Sequence, residues 1–405
     1  MSWPLIPVCD LCELAVDCVN KTAPTVEYET EFKMIRTTNV KGGFIDLNEV
    51  RYVTEDVFKK WTRRSKPRYG DVVLTREAPV GEVGRFTSED EKVFLGQRLF
   101  HYRPNPQKLD WNFLAYALQS PQVQGKFKGM GFGATVDHVR VGDAEKLPIP
   151  YPPLSIQQRI GSVLSAYDDL IENNRRRIQL LEQAARLLYK EWFVHLRFPG
   201  HEHTKIVDGV PEGWERKKIS EVCETIGGGT PSTNVSEYWN GDISWVVPSD
   251  ITRNNSLVLL ESERKITDKG LKESSAKLVP AETILMTSRA SVGFFALMDR
   301  EVCTNQGFIN IIPQGNHSRM YMLFNLLSRV NEIRSNAKGT TYPEISKSRF
   351  REMYIFVPNK TIESQFEEIA YNIIRQVRFL MKSNLNLSQA RDLLLPKLMD
   401  GEVEV

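Results

Sequence analysis

The sequence predicts an α+β chain written twice: two similar mixed α/β domains separated by a pair of long antiparallel helices that pack as a coiled coil. Three observations predict it. Gly70–Gly81 reads GDVVLTREAPVG, and Ala281–Gly293 reads AETILMTSRASVG, the same succession of acid, apolar run, Thr, Arg, Ala and Val-Gly. Two stretches, from about Ser155 to Phe193 and from about Ile362 to Met399, repeat apolar residues at coiled-coil spacing. Outside them lie short strand-like runs, DVVLT, ISWVV and FINIIP, punctuated by Gly-rich turns such as IGGGTPST.

The echo keeps its order over a whole half-chain. Gln97 in FLGQRLFHY matches Gln306 in CTNQGFINI, and Gly133-Ala-Thr135 matches Gly339-Thr-Thr341. Apolar runs then end in proline at KLPIPYPP and MYIFVP. The helix starts SIQQRI and TIESQFEEI follow, and the helices end alike in QAARLLYK and QARDLLLPK. A period of half the chain means a tandem pair of domains, not a solenoid.

Composition narrows the class. A chain of 405 residues predicts two or three domains. With 41% hydrophobic and 26% charged residues, core material is sufficient. The net charge of +2 does not announce a polyanion partner, so the distribution of charge carries the argument. No apolar run is long enough to span a membrane, and the N-terminus lacks the basic flank of a signal peptide. Five cysteines, an odd number, fit reduced thiols and a cytoplasmic chain.

The first domain is expected over residues 1–153. WPLIPVCDLCELAVDCV reads as a strand leading into an amphipathic helix with core thiols, since no second Cys or His pair accompanies Cys9 and Cys12. Lys59–Arg68, KKWTRRSKPR, holds six cations and no acid around Trp61. Cations neutralise phosphates, so Lys60, Arg63, Arg64 and Lys66 are candidate DNA contacts, although a solvated face has the same composition. Gln124–Gly131 reads as a second positive loop through Lys126 and Lys128. Arg36, Thr38, Arg76, Gln97 and Arg98 complete the first set. Gly129–Asp137, GMGFGATVD, has the look of a nucleotide loop, but no buried strand precedes it and its counterpart NAKGTTYPE is not Gly-rich at that spacing.

The first long helix is expected at 154–196. One seam position takes Ile160, Tyr167, Asn174, Leu181 and Leu188; the other takes Leu164, Ile171, Ile178, Ala185 and Trp192. A lone Asn on such a seam fixes register. Arg175, Arg176 and Arg177 form a basic flank. A rod of this kind is roughly 50 Å long at 1.5 Å per residue. A linker follows at 197–212, where His201-Glu-His203 reads as incidental.

The second domain is expected over 213–359. IGGGTPSTN offers backbone amides and hydroxyls to phosphates and base edges, which makes Thr230, Ser232 and Thr233 candidates. Ser249, Asp250, Arg253, Ser288, Arg289, Asn305, Gln306, Lys338, Thr340 and Thr341 add hydroxyl, amide and cationic side chains of the types that read bases. The second long helix is expected at 360–401. Phe366, Ile373, Leu380, Leu387 and Leu394 recur every seven, with Ile369, Val377, Ala390 and Leu398 thickening the stripe, and Pro396 set to kink or stop it.

Catalytic signals are thin. There is no phosphate-binding GxxxxGK[ST] loop, and the six histidines form no readable Ser/His/Asp grouping. A DNA-modifying enzyme, nuclease or methyltransferase, with an unreadable active site stays open as the alternative.

The ordered set GGTPST, YWNGDISWVVPSDI, SRASVG, TNQGF, KGTTYPEIS and LLLPKLMDGEV resembles the second target-recognition half of a Type I restriction–modification specificity subunit. ARLLYKEWFVHLRFPG followed by VDGVPEGWERKKISEV resembles the junction between that family's halves. The first half departs from the pattern: GGTPS has no clear counterpart near Val19–Thr25, and SRA becomes REA. The resemblance implies two target-recognition domains, each reading one half of a split, asymmetric double-stranded DNA site. It implies helices that space them and dock two methyltransferase (M) subunits, with motor–nuclease restriction (R) subunits joining the complex. It further implies S-adenosylmethionine, ATP and Mg on those partners, and no cofactor or metal on this chain.

Overall fold

The computed structural model describes residues 3–88, 92–130, 138–339 and 341–405, with the side chains of residues 128–130 outside the description. The chain divides into two compact units, Met1–Ile171 with Asn386–Val405, and Glu172–Leu385.

In the first unit, Leu99–Pro104 lies between Cys12–Asp17 and Val72–Thr75, and Val83–Arg85 closes the far edge. All these pairings are antiparallel. A second sheet joins Lys33–Ile35 in parallel to Val93–Leu95, with Arg51–Tyr52 on its other side. A third pairs Leu5–Pro7 with Pro148–Pro150. The apolar face of the first sheet packs on the helix Trp111–Gln119, burying Phe100, Tyr102, Phe113 and Leu114.

The second unit repeats this plan with one strand added. Phe308–Pro313 lies between Cys223–Gly227 and Ile284–Thr287, and Phe295–Ala296 closes the edge. Trp239–Val246 runs parallel to Val302–Thr304, with Arg264–Ile266 on its other side and Leu278–Val279 added beyond. Glu215–Lys218 pairs with Tyr354–Val357. The same cap geometry starts the covering helices: Asp110 accepts the Phe113 amide at 2.8 Å, and Ser318 accepts the Tyr321 amide at 2.9 Å. Each cap is itself fastened by the start of a long helix, through Gln157 to the Asp110 amide and Glu363 to the Ser318 amide.

The echoed stretch is a loop that needs its threonine. Thr75 Oγ1 accepts the Glu82 amide at 2.9 Å and donates to the Pro79 carbonyl at 2.6 Å. Thr287 Oγ1 accepts the Phe294 amide at 3.0 Å and donates to the Ser291 carbonyl. The alanine and glycine of each copy hold positive φ: Ala78 and Gly81 in one, Ala290 and Gly293 in the other. The repeat therefore preserves backbone geometry: small residues where φ is positive and a hydroxyl that closes the turn.

The long helices run Leu154–Tyr189, continued by a π-turn at Lys190–Val194, and Lys360–Met399. Within the first unit, Ile160 and Leu164 pack with Leu395, Leu398 and Met399, and Arg159 donates to the Val405 carbonyl. Within the second, Ile178, Ala185 and Tyr189 pack with Phe366, Ile374 and Val377, and Asn174 Nδ2 donates to Asn384 Oδ1 at 2.9 Å. In each unit, position rises on one helix as it falls on the other, so the pairing is antiparallel. The expected seam is buried at Ile160, Leu164, Ile171, Asn174, Ile178, Ala185 and Trp192.

Three expectations fail locally. Residues 8–17 form a short 3-10 turn and the strand Cys12–Asp17, not an amphipathic helix. The alternation there serves one sheet face, which a short apolar run cannot distinguish from a helical stripe. Ile369 and Ala390 are exposed. A straight helix of 3.6 residues per turn drifts against a strict heptad, so the buried stripe passes instead through Ala370, Ile374 and Val377. Pro396 does not stop its helix: it sits inside the last turn, and the helix runs on to Met399.

Candidate nucleic-acid interface

In the second unit, most candidates converge. The strand Cys223–Gly227 ends at the loop carrying Thr230, and this loop presses on the turn that carries Asn305 and Gln306. Gly229 donates its amide to the Thr304 carbonyl at 2.9 Å. A Cβ on Gly228 would meet the Asn305 carbonyl at 2.0 Å, and one on Gly229 would meet the Ser275 backbone at 2.1 Å. These glycines therefore permit close packing of backbones, and the Gly229 amide is spent inside the fold, not free for phosphate as the Gly-rich loop had suggested. Thr230 Oγ1 donates to Gln306 Oε1. Ser232 and Thr233 are exposed further along the loop.

Two tryptophans hold that loop. Trp245 Nε1 donates to the Gly229 carbonyl at 2.9 Å and Trp239 Nε1 to the Ser232 carbonyl at 3.1 Å. The exposed guanidinium of Arg264 stacks 3.7 Å from the Trp239 ring. Sequence reasoning passed over these three residues. The signal was WNGDISWVV, whose indoles recur on one strand face, but only the fold shows where their N–H groups point.

The neighbouring turns bring the rest. The Asn305 amide donates to the Val246 carbonyl, two residues before the short helix Pro248–Thr252 that carries Ser249 and Asp250. Arg253, just after that helix, is exposed. Arg289 is exposed and faces Glu344 at 3.8 Å, and Lys338 pairs with Glu344 through backbone bonds, with Thr341 exposed nearby. Thr340 lies outside the described residues.

In the first unit, Gln97 and Arg98 occupy the matching turn. Thr22 Oγ1 donates to Gln97 Oε1 at 3.3 Å, so Thr22 stands where Thr230 stands in the second unit. Sequence comparison missed it because the loops differ in length and the first has no GG pair. Arg98 adopts φ of 70° and pairs with Glu77 at 2.8 Å. Thr37 donates to the Ala78 carbonyl at 2.9 Å, which brings Arg36 and the exposed Thr38 against the same loop. Arg36 also donates to the Glu49 carbonyl.

The basic segment straddles the end of the helix Glu55–Trp61. Lys60, Arg63, Arg64 and Lys66 are exposed, with Lys60 over the Trp61 ring and Lys66 over the Phe58 ring. Arg64 Nη1 donates to the Cys18 carbonyl at 2.9 Å. A buried relay fastens the segment to the sheet. Ser65 Oγ lies 2.9 Å from His101 Nδ1, and His101 Nε2 lies 2.7 Å from Asp71 Oδ2. Arg103 grips the same carboxylate with bonds of 2.9 Å and 2.7 Å. Burial opposes the charge on Asp71, but the His101 and Arg103 bonds outweigh it and hold its pKa below the ordinary value. The series has the order of a nucleophile, base and acid, yet His101 is 0% exposed, so the arrangement works as a strut.

Several candidates leave the surface. Arg76 is buried and bonded to Asp17 at 2.9 Å and to the Val139 carbonyl at 2.9 Å. Ser288 is buried between the Gly307 and Ile345 backbones. Asp250 spends both oxygens on backbone amides, those of Val247 and Glu263. The expected positive loop at 124–131 is largely the helix Pro121–Met130. There Lys126 is half-buried, donating to the Pro148 carbonyl, and burial lowers its pKa. The Lys128 side chain lies outside the described residues. The cause is common to all: type and spacing do not reveal whether a polar group is already satisfied inside.

The five thiols are free, and burial drives Cys12 up to about 12. Among the described residues no group of three or more His, Cys, Asp or Glu is placed to hold a metal. No helix among them is long and apolar enough to cross a membrane.

Comparison with known proteins agrees with this doubled geometry. The profile of the family described as Type I restriction modification DNA specificity domain matches residues 7–183 and 211–379. The MjaIX Type I restriction enzyme specificity subunit of Methanocaldococcus jannaschii is 36% identical over 187 residues, so the match spans 44% of this chain and 43% of that one. The HindI specificity subunit of Haemophilus influenzae is 24% identical over 399 residues, 82% of this chain and 86% of its own. The crystal structure of a Type I restriction–modification S subunit from M. genitalium shares the fold, with a TM-score of 0.62 at 17% identity over 98% of this chain and 96% of that one. With the profile matched once in each copy of the repeated fold, the chain belongs to the Type I restriction–modification DNA specificity family.

Proposed function

We propose that this specificity subunit reads a split, asymmetric DNA sequence, one half with residues 1–153 and the other with residues 213–359. The observation that carries the reading is the combination of one strand order in both domains with different side chains on the matching turns: Gly96 and Arg98 flank Gln97, while Asn305 and Gly307 flank Gln306. A dimer of identical readers is confined to palindromes; a duplicated chain can diverge its halves. The helices of 36 and 40 residues correspond to rods of roughly 54 and 60 Å. Half-sites one helical turn apart need about 34–36 Å.

Docking of two methyltransferase subunits, with restriction subunits beyond, belongs to the same proposal. Leu180, Leu187, Phe379 and Leu393 stand exposed on the long helices, Phe379 at 71%, as large apolar groups that a partner would cover. S-adenosylmethionine, ATP and Mg would then act on those partners, and this chain would carry out no chemistry. Mapping methylated adenines in DNA from cells that hold this chain with its methyltransferase tests the reading. A two-part sequence with a fixed gap is expected; a single contiguous or palindromic site sinks it. Turnover of DNA by the purified chain alone, with Mg and S-adenosylmethionine, would instead favour an enzyme.

A further inference from the structure

Resting on that reading, we infer that the Thr22–Gln97 and Thr230–Gln306 pairs are sequence-independent phosphate clamps that set each domain on the DNA backbone. Their places in the fold coincide. Each Gln follows the parallel strand of the second sheet, Val93–Leu95 or Val302–Thr304, and precedes the central strand of the first. Each Thr follows the edge strand, Cys12–Asp17 or Cys223–Gly227. The hydrogen bond is the same in both: the hydroxyl donates to Oε1.

Three observations assign the role. First, the pair is identical in two domains whose surrounding residues differ, so it faces what two different half-sites share, and that is the backbone. Second, the threonine engages Oε1, while neither Nε2 has a hydrogen-bond partner among the described residues. An amide presented through its N–H donors suits a phosphate, which offers only acceptors; adenine in the major groove demands a donor and an acceptor together. Third, cations flank both pairs. Arg98 adjoins Gln97, and the exposed Arg289 has its Cβ 4.0 Å from the position a Gly307 Cβ would take.

The test uses the full chain in complex with its methyltransferase, binding duplexes that carry the mapped site or one scrambled half-site. Gln306→Glu places a carboxylate against the phosphate. It is expected to weaken binding to every duplex by the same factor, about tenfold, with the methylated sequence unchanged. Gln97→Glu behaves alike. Thr230→Val gives a smaller uniform loss, and Thr230→Ser restores affinity. A Gln306→Glu complex that instead prefers cytosine at one position of its half-site shows base reading and overturns the inference, because a carboxylate accepts from the cytosine amino group. So does affinity unchanged on all duplexes. Where the Glu variant fails to fold, by circular dichroism, Gln306→Ala replaces it with the same expected uniformity. A wild-type complex with no preference for its own mapped site would overturn the function proposed above, a result separate from silent Gln variants beside an intact wild-type preference.

Discussion

Thr287 is 0% exposed, and its hydroxyl joins two sides of one turn. Replacing it by valine keeps the volume and removes both bonds. Thr287→Val is expected to lower unfolding stability by about 2 kcal/mol, and Thr75→Val to do the same in its own domain, because each strips both the amide and the carbonyl of its turn of their hydroxyl partner; chemical denaturation reads this, and Thr→Ser should recover most of it. Asp71 yields a pH dependence. Its pKa is lower in the folded chain than the ordinary 3.8, so folding favours the charged form. That contribution is complete above the unfolded value and is lost as the pH falls through the folded one. Asp71→Asn should therefore be less stable than wild type at neutral pH, with the gap closing as urea midpoints are followed below about pH 4. Equal gaps at both ends of the scale would show that shape, not charge, is at stake. The repeated threonines were visible in the sequence as an echo. Their purpose was not, since the bond partners lie several residues away on a turn whose path composition does not encode.

Among the elements, the long helices were the most legible, because their apolar period persists for many turns. What periodicity could not foresee is the set of carboxylates that fasten them to the domains. Asp168 is 1% exposed and receives Arg85 at 2.8 Å, the Tyr116 hydroxyl and Arg391. In the second unit Glu182 takes the Ser256 hydroxyl and the Leu257 amide. Neither belongs to the heptad seam; both lie beside it, where a sequence reading sees only a polar flank. Asp168→Asn strands the buried guanidinium of Arg85 and is expected to cost about 3 kcal/mol, more than any exposed ion pair on the same helix. Calorimetry of Asp168→Asn beside Glu172→Gln checks the contrast, since Glu172 pairs with Arg175 at the surface. The Asn174–Asn384 bond sits across the seam. Leucine at both positions is expected to raise the melting temperature while loosening the choice of register.

At the scale of the whole molecule, the proposed reading of one half-site by each domain predicts independent exchange. Replacing residues 1–153 by the matching domain of a relative should change one half of the methylated sequence and leave the other half and the gap untouched. Lengthening both long helices by one heptad should change the gap and leave both halves untouched. Methylation mapping reads both outcomes, and a chimera that alters both halves would contradict the independence. Duplication, domain class and helix pairing were determined by the sequence itself, because period and order survive divergence: a buried face must recur every two or every 3.6 residues whatever its neighbours do. Tertiary structure alone decided which polar residues face outward. It buried Arg76 against Asp17, spent Asp250 on backbone amides, and paired Thr22 with Gln97 across 75 positions of chain. Whether a donor is free depends on what the fold brings within three ångströms of it, and that distance is set by packing among residues remote in sequence.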